Sequence, residues 1–447
     1  MSKDISRDDL NDQLTRHMQH IAACTLPSEK YGRLLLASSP ESRYPYVYPR
    51  DTSSAAQLFR RLAESKAGYD AADDAFALLK SMAHFMKDAV SDGGNWGQRY
   101  SLEGEDKSIY KQEDNVAHAI AIMCNYLIAA TRLERDIDDL GEFLHVIDRG
   151  LEHAVHDLYQ PELNLFESTT AIHESAMEEG FTCWVNFTFL YAFSLAHQVA
   201  HTIDERNIIR QEHLAFRKQF LYTISELFIW SERYVRRIEP GGRIDLRPDF
   251  TLLSPFYYGF HHYRDAIGRS VTFLDKQLWD PELGMIMRYL PFNRDFATHV
   301  HAGNGPWLQY TAILAQYYYW TGIYQRADEL LDRIESYMTE DGRIPEHLST
   351  CDRFDSFMET EWRTGIDFAK EFDKRILLDD VHFDKILEEA NNMDRSYRHT
   401  GEKCIRRDSG KSEGGYIQFA APLMWSHVEY CRALLVRAGD WWKMASS

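Results

Sequence analysis

Apolar residues recur at helical spacing in segment after segment, as in Val116, Ile120, Met123 and Leu127, and again in Ala327, Leu331, Ile334 and Met338. Steps of four and three residues put such side chains on one face of a helix, so the pattern predicts a chain built almost wholly of amphipathic helices. Strand signals are scarce. Glycine and proline clusters fall between the helical stretches, where they punctuate. No Ser/Gly-rich or Pro-rich stretch divides the chain, which predicts one domain over residues 1–447.

A similar punctuation recurs before polar, aromatic-rich loops: SDGGNWGQRY (91–100), YQPELNLFES (159–168), IEPGGRIDLR (238–247), WDPELGMIMRY (279–289) and TEDGRIPEH (339–347). Each follows a helical stretch. The intervals are too irregular for a solenoid, whose repeats keep a fixed period. They fit a closed toroid of helix pairs with its functional loops at one end.

Composition narrows the function. The chain has 447 residues, 44% of them hydrophobic, enough for a large core. No apolar run approaches the ~18 residues of a membrane span, and the start, MSKDISRDDLNDQL, is charged where a signal peptide has an apolar centre. A net charge of −19 argues against a nucleic-acid partner, since phosphate binding needs clustered Lys and Arg. It suits a neutral sugar. Cys24, Cys124, Cys183, Cys351, Cys404 and Cys431 are widely spaced with no CxxC pair, which predicts free thiols and a cytoplasmic address. The sequon at Asn186 lies in an apolar run and is read as chance. His197 and His201 share a helix face, but HQVAH lacks the glutamate of HExxH and a marked third ligand, so no metal is expected. No phosphate-cradling loop or GxSxG elbow appears, so no cofactor is expected either.

The remaining chemistry is that of carboxyl pairs. In YPYVYPRDTSSA, Arg50 and Asp51 follow Pro49 at a loop-to-helix junction, where a carboxylate and a guanidinium fork can bind sugar hydroxyls. The alternative for Asp51 is a helix N-cap. FESTTAIHESAMEEGFTCW crowds Glu167, Glu174, Glu178 and Glu179, and crowded carboxylates raise one another's pKa, as a general acid requires. The alternative is a solvated acidic helix start. Glu346 follows a turn and a proline, presented by a loop as a base would be; it could equally be a surface glutamate. Aromatics make up 13% of the chain, and their faces stack on sugar rings. Trp96, Tyr100, Trp307 and Trp425 lie in or beside these loops, as do His299 and His301, while most other aromatics read as core.

At these residues the chain resembles glycoside hydrolase family 15, the glucoamylase type. YPRD at 48–51 resembles the family's WPRD, IHES at 172–175 its acid-bearing loop, RYLPFNRDF and GNGPW at 288–307 its Arg-Tyr to Pro-Trp segment, PEH at 345–347 its base loop, and APLMWSHVEY at 421–430 its terminal signature. The resemblance implies an all-α (α/α)6 barrel. It implies inversion of the anomeric centre, with Glu174 as acid and Glu346 as base, and a small carbohydrate held by Tyr48, Arg50, Asp51, Trp96, His173, Arg288, Trp307 and Trp425. The family's N-terminal β-sandwich and starch-binding module are not expected.

Two departures bear on specificity. Tyr48 stands where the family has Trp, and His173-Glu174-Ser175 replaces Trp-Glu-Glu, removing a carboxylate that contacts the leaving-group sugar. The resulting expectation is an exo-acting inverting α-glucosidase for a small glucoside or short oligosaccharide, with oligomeric state left open. The alternatives are another helical-toroid sugar enzyme, such as a trehalase or epimerase, or a non-catalytic sugar-sensing domain. Retention of both Glu174 and Glu346 argues against the last.

Overall fold

In the computed structural model, residues 5–42, 44–170, 172, 179–290, 305–357 and 415–441 are described. The helices fall into two environments. α2 (Pro49–Glu64), α4 (Asn115–Arg132), α6 (Cys183–Thr202), the short α8 (Ser254–Tyr257), α10 (Leu308–Thr321) and α13 (Met424–Arg437) are buried around most of their circumference. In α4 every residue from Asn115 to Ala130 is buried, as a helix apolar on all faces must be. By contrast α1 (Arg7–Ala22), α3 (Ala72–Asp88), α5 (Leu140–His153), α7 (Gln211–Leu227), α9 (Arg264–Gln277) and α11 (Tyr324–Glu335) leave polar residues in solvent. In α11 only Ala327, Leu330, Leu331 and Ile334 are buried, a single stripe.

The two sets alternate along the chain, apart from a short α12 (Cys351–Phe357) ahead of the last inner helix. Neighbouring inner helices pack in the order α2–α4–α6–α8 and α10–α13–α2. Between α8 and α10 the ring closes through aromatic pairs: Phe256 on Tyr317 at 5.5 Å and, from the 3-10 turn preceding α8, Phe250 on Tyr310 at 4.5 Å. Each outer helix seals one or two inner ones: α1 on α13, α3 on α2 and α4, α5 on α4, α7 on α6, α9 on the turn before α8, α11 on α10. The fold is the expected all-α toroid, with six inner and six outer helices among the described residues.

The punctuated loops are the outer-to-inner connections, and four of the five carry small antiparallel pairings. Tyr159–Gln160 pairs with Leu165–Phe166, Arg237–Ile238 with Ile244–Asp245, Trp279–Asp280 with Met285–Ile286, and His347–Thr350 with Tyr416–Phe419. In the DPELG turn Asp280 Oδ1 accepts the amides of Glu282 and Leu283, and Gly284 sits at φ +71, which explains the recurring acidic-Pro-Gly wording. The first connection, Thr25–Ser28 with Gly32–Leu35, has the same shape without that wording, and the sequence pattern does not mark it. Because outer and inner helices alternate, all these connections lead into inner-helix N-termini.

One expectation fails. Cys24, Cys124, Cys183 and Cys431 are free, but Cys351 is disulfide-bonded. Six free thiols, and the reducing compartment inferred from them, no longer follow. Among the described residues no helix is long and apolar enough to cross a membrane.

Candidate active site

Among the described residues, the inner-helix N-termini and the loops before them bring Tyr48, Arg50, Arg288, Trp307, Glu346 and Trp425 near one another. Pro49 starts α2 with a preset φ, so Arg50 lies in its first turn, 4% exposed. Its Nη2 donates to both carboxylate oxygens of Asp114, at 3.2 and 3.3 Å, and its Nη1 donates to the Ile172 carbonyl at 3.4 Å. Asp114, the fully buried N-cap residue of α4, also accepts from Trp184 Nε1 at 3.0 Å and lies 3.3 Å from His118 Nε2. Burial opposes charge on Asp114, but the Arg50 guanidinium and the His118 contact outweigh it and hold the carboxyl well below its usual range. Asp51 is half-buried in the first turn; the N-cap is Tyr48, so the capping alternative for Asp51 is excluded.

Glu346 is 7% exposed. Its amide donates to the Phe419 carbonyl at 2.9 Å and its carbonyl accepts from Leu308 N at 3.0 Å, fixing the backbone between the last strand pair and α10. Tyr44 Oη donates to Oε2 at 3.1 Å, and His347 Nδ1 lies 3.1 Å from the same oxygen. A carboxylate only accepts, so with Glu346 ionised His347 carries its proton on Nδ1. The His347 ring is clamped between Trp307 (4.8 Å, 15°) and Phe419 (4.3 Å, 11°). Trp307 in turn carries the Arg288 guanidinium at 4.7 Å, and Arg288 Nη2 donates to the same Ile172 carbonyl that Arg50 holds. Two arginines therefore grip the residue next to His173.

Trp425 is 5% exposed, its Nε1 donating to Glu429 at 2.8 Å and its ring edge-on to Tyr310 at 5.9 Å. Tyr48 is 7% exposed and accepts from Arg99 Nη1 at 3.4 Å. Trp96 needs correction: its Nε1 donates to the Met86 carbonyl at 2.8 Å and its ring lies against Gly150 of α5, so it is packing in the outer wall. Trp307 is likewise a wedge between His347 and Tyr310. His173, Glu174, Ser175, Glu178, His299 and His301 lie outside the described residues. Glu179 is exposed.

Sequence reasoning missed four residues. Tyr44 stands four places before Tyr48 without any mark of its role. Asp114 and its neighbour Glu113 look like an ordinary acidic pair. Yet burial, outweighing its hydrogen bonds from Thr169 and Thr170, raises the pKa of Glu113 while that of Asp114 is lowered. Glu429 lay inside the quoted terminal motif. It is wholly buried and accepts from Ser54, Tyr257, Trp425, Gln316 and Arg432.

Metal ligation was not expected, but one set invites the test. Ligand atoms of Glu152, His156 and His213 lie within 4.8 Å of one another. Arg210 already neutralises Glu152 at 2.7 Å, and Asp148 accepts from the Arg210 amide and Nε while lying 2.9 Å from His213 Nδ1. With a guanidinium in place and the N-terminus of α7 alongside, the set does not suit a cation and reads as a tether between α5 and α7. His197 and His201 contact each other, with ring nitrogens 3.0 Å apart. The sequon residue Asn186 is buried and bonded to Phe166, inaccessible to glycosylation.

Fold and site together define a helical toroid with charged and aromatic side chains gathered at its inner-helix N-termini. Solved structures of this architecture that it resembles include a wild-type glycosidase, at 15% identity and TM-score 0.60 over 97% of this chain and 98% of that one. The glucoamylase from Saccharomycopsis fibuligera matches at 13% identity and TM-score 0.57 over 98% of each chain. A bacterial glucoamylase complexed with acarbose matches at 14% identity and TM-score 0.61 over 96% of this chain and 55% of that one. At such identities the likeness is one of fold, and the fold is glucoamylase-like. No protein-family model and no curated protein sequence matches the chain.

Proposed function

We propose that the protein is a glycoside hydrolase, an exo-acting inverting α-glucosidase that releases glucose from a small α-glucoside or short oligosaccharide. The observation that carries this reading is the state of Glu346. A nearly buried carboxyl is held at one oxygen by Tyr44 and His347; Trp307, stacked on His347, carries Arg288, which with Arg50 grips the Ile172 carbonyl two residues before Glu174. Contacts at Oε2 from Tyr44 and His347 fix the rotation of the carboxyl, as a base requires.

In this mechanism Glu174 protonates the glycosidic oxygen as the C1–O bond breaks, and Glu346 takes a proton from the water attacking the opposite face of C1. Inversion needs room for that water, with the two carboxyls about 6.5–9.5 Å apart. Arg50, Asp51, Tyr48, Arg288 and Trp425 contact the terminal glucosyl unit. The acarbose and glucose carried by solved structures of this fold are sugars or sugar mimics, which supports a carbohydrate as the ligand. No cofactor takes part.

The missing carboxylate at Ser175 weakens recognition on the leaving-group side, because a site lacking a hydrogen-bond partner discriminates less. Soluble starch and maltoheptaose are therefore expected to be poorer substrates by kcat/KM than at least one small glucoside. Incubation with a panel of α-glucosides, with the first-formed anomer read by NMR, tests both parts. β-Glucose as first product supports inversion. α-Glucose refutes it, and long maltodextrins as best substrates refute the specificity.

A further inference from the structure

The loop that carries Glu346 is anchored from behind by α13 and, through it, by α1. Pro345 has no N–H, so the last backbone donor before Glu346 is the amide of Ile344. That amide donates to Nε2 of His427 at 3.0 Å, and the Ile344 carbonyl accepts from Leu423 N at 2.9 Å. Ser426 Oγ donates to the Pro345 carbonyl at 2.9 Å. The first turn of α13 thus holds both peptide units ahead of Glu346.

His427 is completely buried, and its other nitrogen, Nδ1, lies 2.9 Å from Nδ1 of His17 on α1. A nitrogen that accepts from a backbone N–H carries no proton of its own, so the His427 proton sits on Nδ1 and is donated to His17. His17 then keeps its own proton on Nε2. One amide therefore dictates the tautomers of two histidines. A second proton on His427 would set N–H against N–H at Ile344. Burial disfavours that charge: the pKa of His427 lies well below the ordinary value, and that of His17 is lowered to about 3. The rings of His20, at 4.9 Å from His427, and Tyr430, at 4.5 Å from His17, enclose the pair.

We propose that His427 is a positioning residue of the active site: as an Nδ1-protonated neutral imidazole locked by His17, it holds the Ile344 amide and so fixes where the Glu346 carboxylate stands. The proposal rests on Glu346 as the base. It gives α1, which supplies none of the predicted site residues, a part in catalysis.

His427→Leu removes the acceptor, while His427→Gln keeps an amide oxygen near the position of Nε2. Displacement of a reacting group by about 1 Å can cost on the order of 10²-fold in rate. His427→Leu is therefore expected to lose roughly 10- to 100-fold in kcat with KM nearly unchanged, and His427→Gln to recover most of the loss. Histidine ¹⁵N NMR of the unmodified protein should give the Nδ1–H tautomer for His427. Wild-type kcat in folded His427→Leu overturns the proposal, as does equal damage in both variants or an Nε2–H tautomer. The tautomer measurement and His427→Gln stand even where the leucine variant does not fold. Glu346→Ala, measured alongside, separates the two ideas. If it retains activity, the base assignment fails and this inference with it; if it is inactive while His427→Leu turns over normally, only the positioning role fails.

Discussion

Glu346 and Asp114 meet different demands with the same functional group. Asp114 is saturated by Arg50, Trp184 and His118, and its charge is fixed in place. Glu346 is held through Oε2 by two groups that orient the carboxyl, an arrangement that suits proton transfer. Glu346→Gln keeps the shape and the Tyr44 contact but cannot take a proton. It should lower kcat by roughly 10² to 10⁴-fold with the melting temperature little changed, measured on the best substrate of the panel. Activity within tenfold of wild type would remove Glu346 from the base role. The sequence marked Glu346 because a turn and a proline precede it. It could not mark Tyr44, whose partner lies 302 residues away, or separate Asp114 from Glu113, because that difference arises only when Arg50 approaches one of them.

At the scale of elements, helices were legible because a period near 3.6 residues survives in any amphipathic segment. Inner and outer helices were less so: α10 reads QYTAILAQYYYW, with glutamine and threonine among the apolar residues, yet it is buried almost throughout. The polar groups are spent inside, as where Gln316 donates to Glu429 at 2.9 Å. The connecting pairings were missed as strands because two to four residues are too few to show alternation. Their packing still tolerates little change. A Cβ at Gly305 would fall on the Leu348 carbonyl oxygen, since the segment entering α10 lies flat on the strand that begins at His347. Leu348 N donates to the Pro306 carbonyl at 3.1 Å there. Gly305→Ala must push that strand away and carry His347 and Glu346 with it. The expected result is a destabilised protein, by about 1–3 kcal/mol in denaturant melts, with kcat falling more than the stability loss accounts for. A variant that is active and as stable as wild type would contradict the close packing.

On the scale of the whole molecule, the ring is pinned from within by ionisable groups. Glu429 of α13 accepts from Ser54 of α2, Tyr257 of α8 and Gln316 of α10, and it pairs at 3.2 Å with Arg432, which is equally buried. Glu429→Gln leaves that guanidinium uncompensated and should cost about 3–5 kcal/mol, read as a shift in the denaturation midpoint. A loss below about 1 kcal/mol would mean that water reaches Arg432. The histidine pair pins α1 to α13 in the uncharged state, and this sets an acid limit. In the folded chain His17 and His427 stay neutral below their ordinary pKa of 6.5, with His17 lowered to about 3 by burial, His20 and Arg16. The unfolded chain takes up those protons near pH 6.5, so it binds more of them than the folded chain does, and stability falls as pH falls through the window from 6.5 towards 3. Each such histidine contributes a slope of up to about 1.4 kcal/mol per pH unit. The depressed carboxyl of Asp114 acts in the same direction, but only below its unfolded value of 3.8, so the two effects separate in pH. Denaturation midpoints should therefore fall as pH is lowered from 6.5 to 4.5, and His17→Gln should flatten the slope of stability against pH by about one proton's worth while lowering stability at neutral pH. An unchanged slope in His17→Gln would mean that His17 takes up its proton in the folded chain as readily as in the unfolded one, against its burial beside His427.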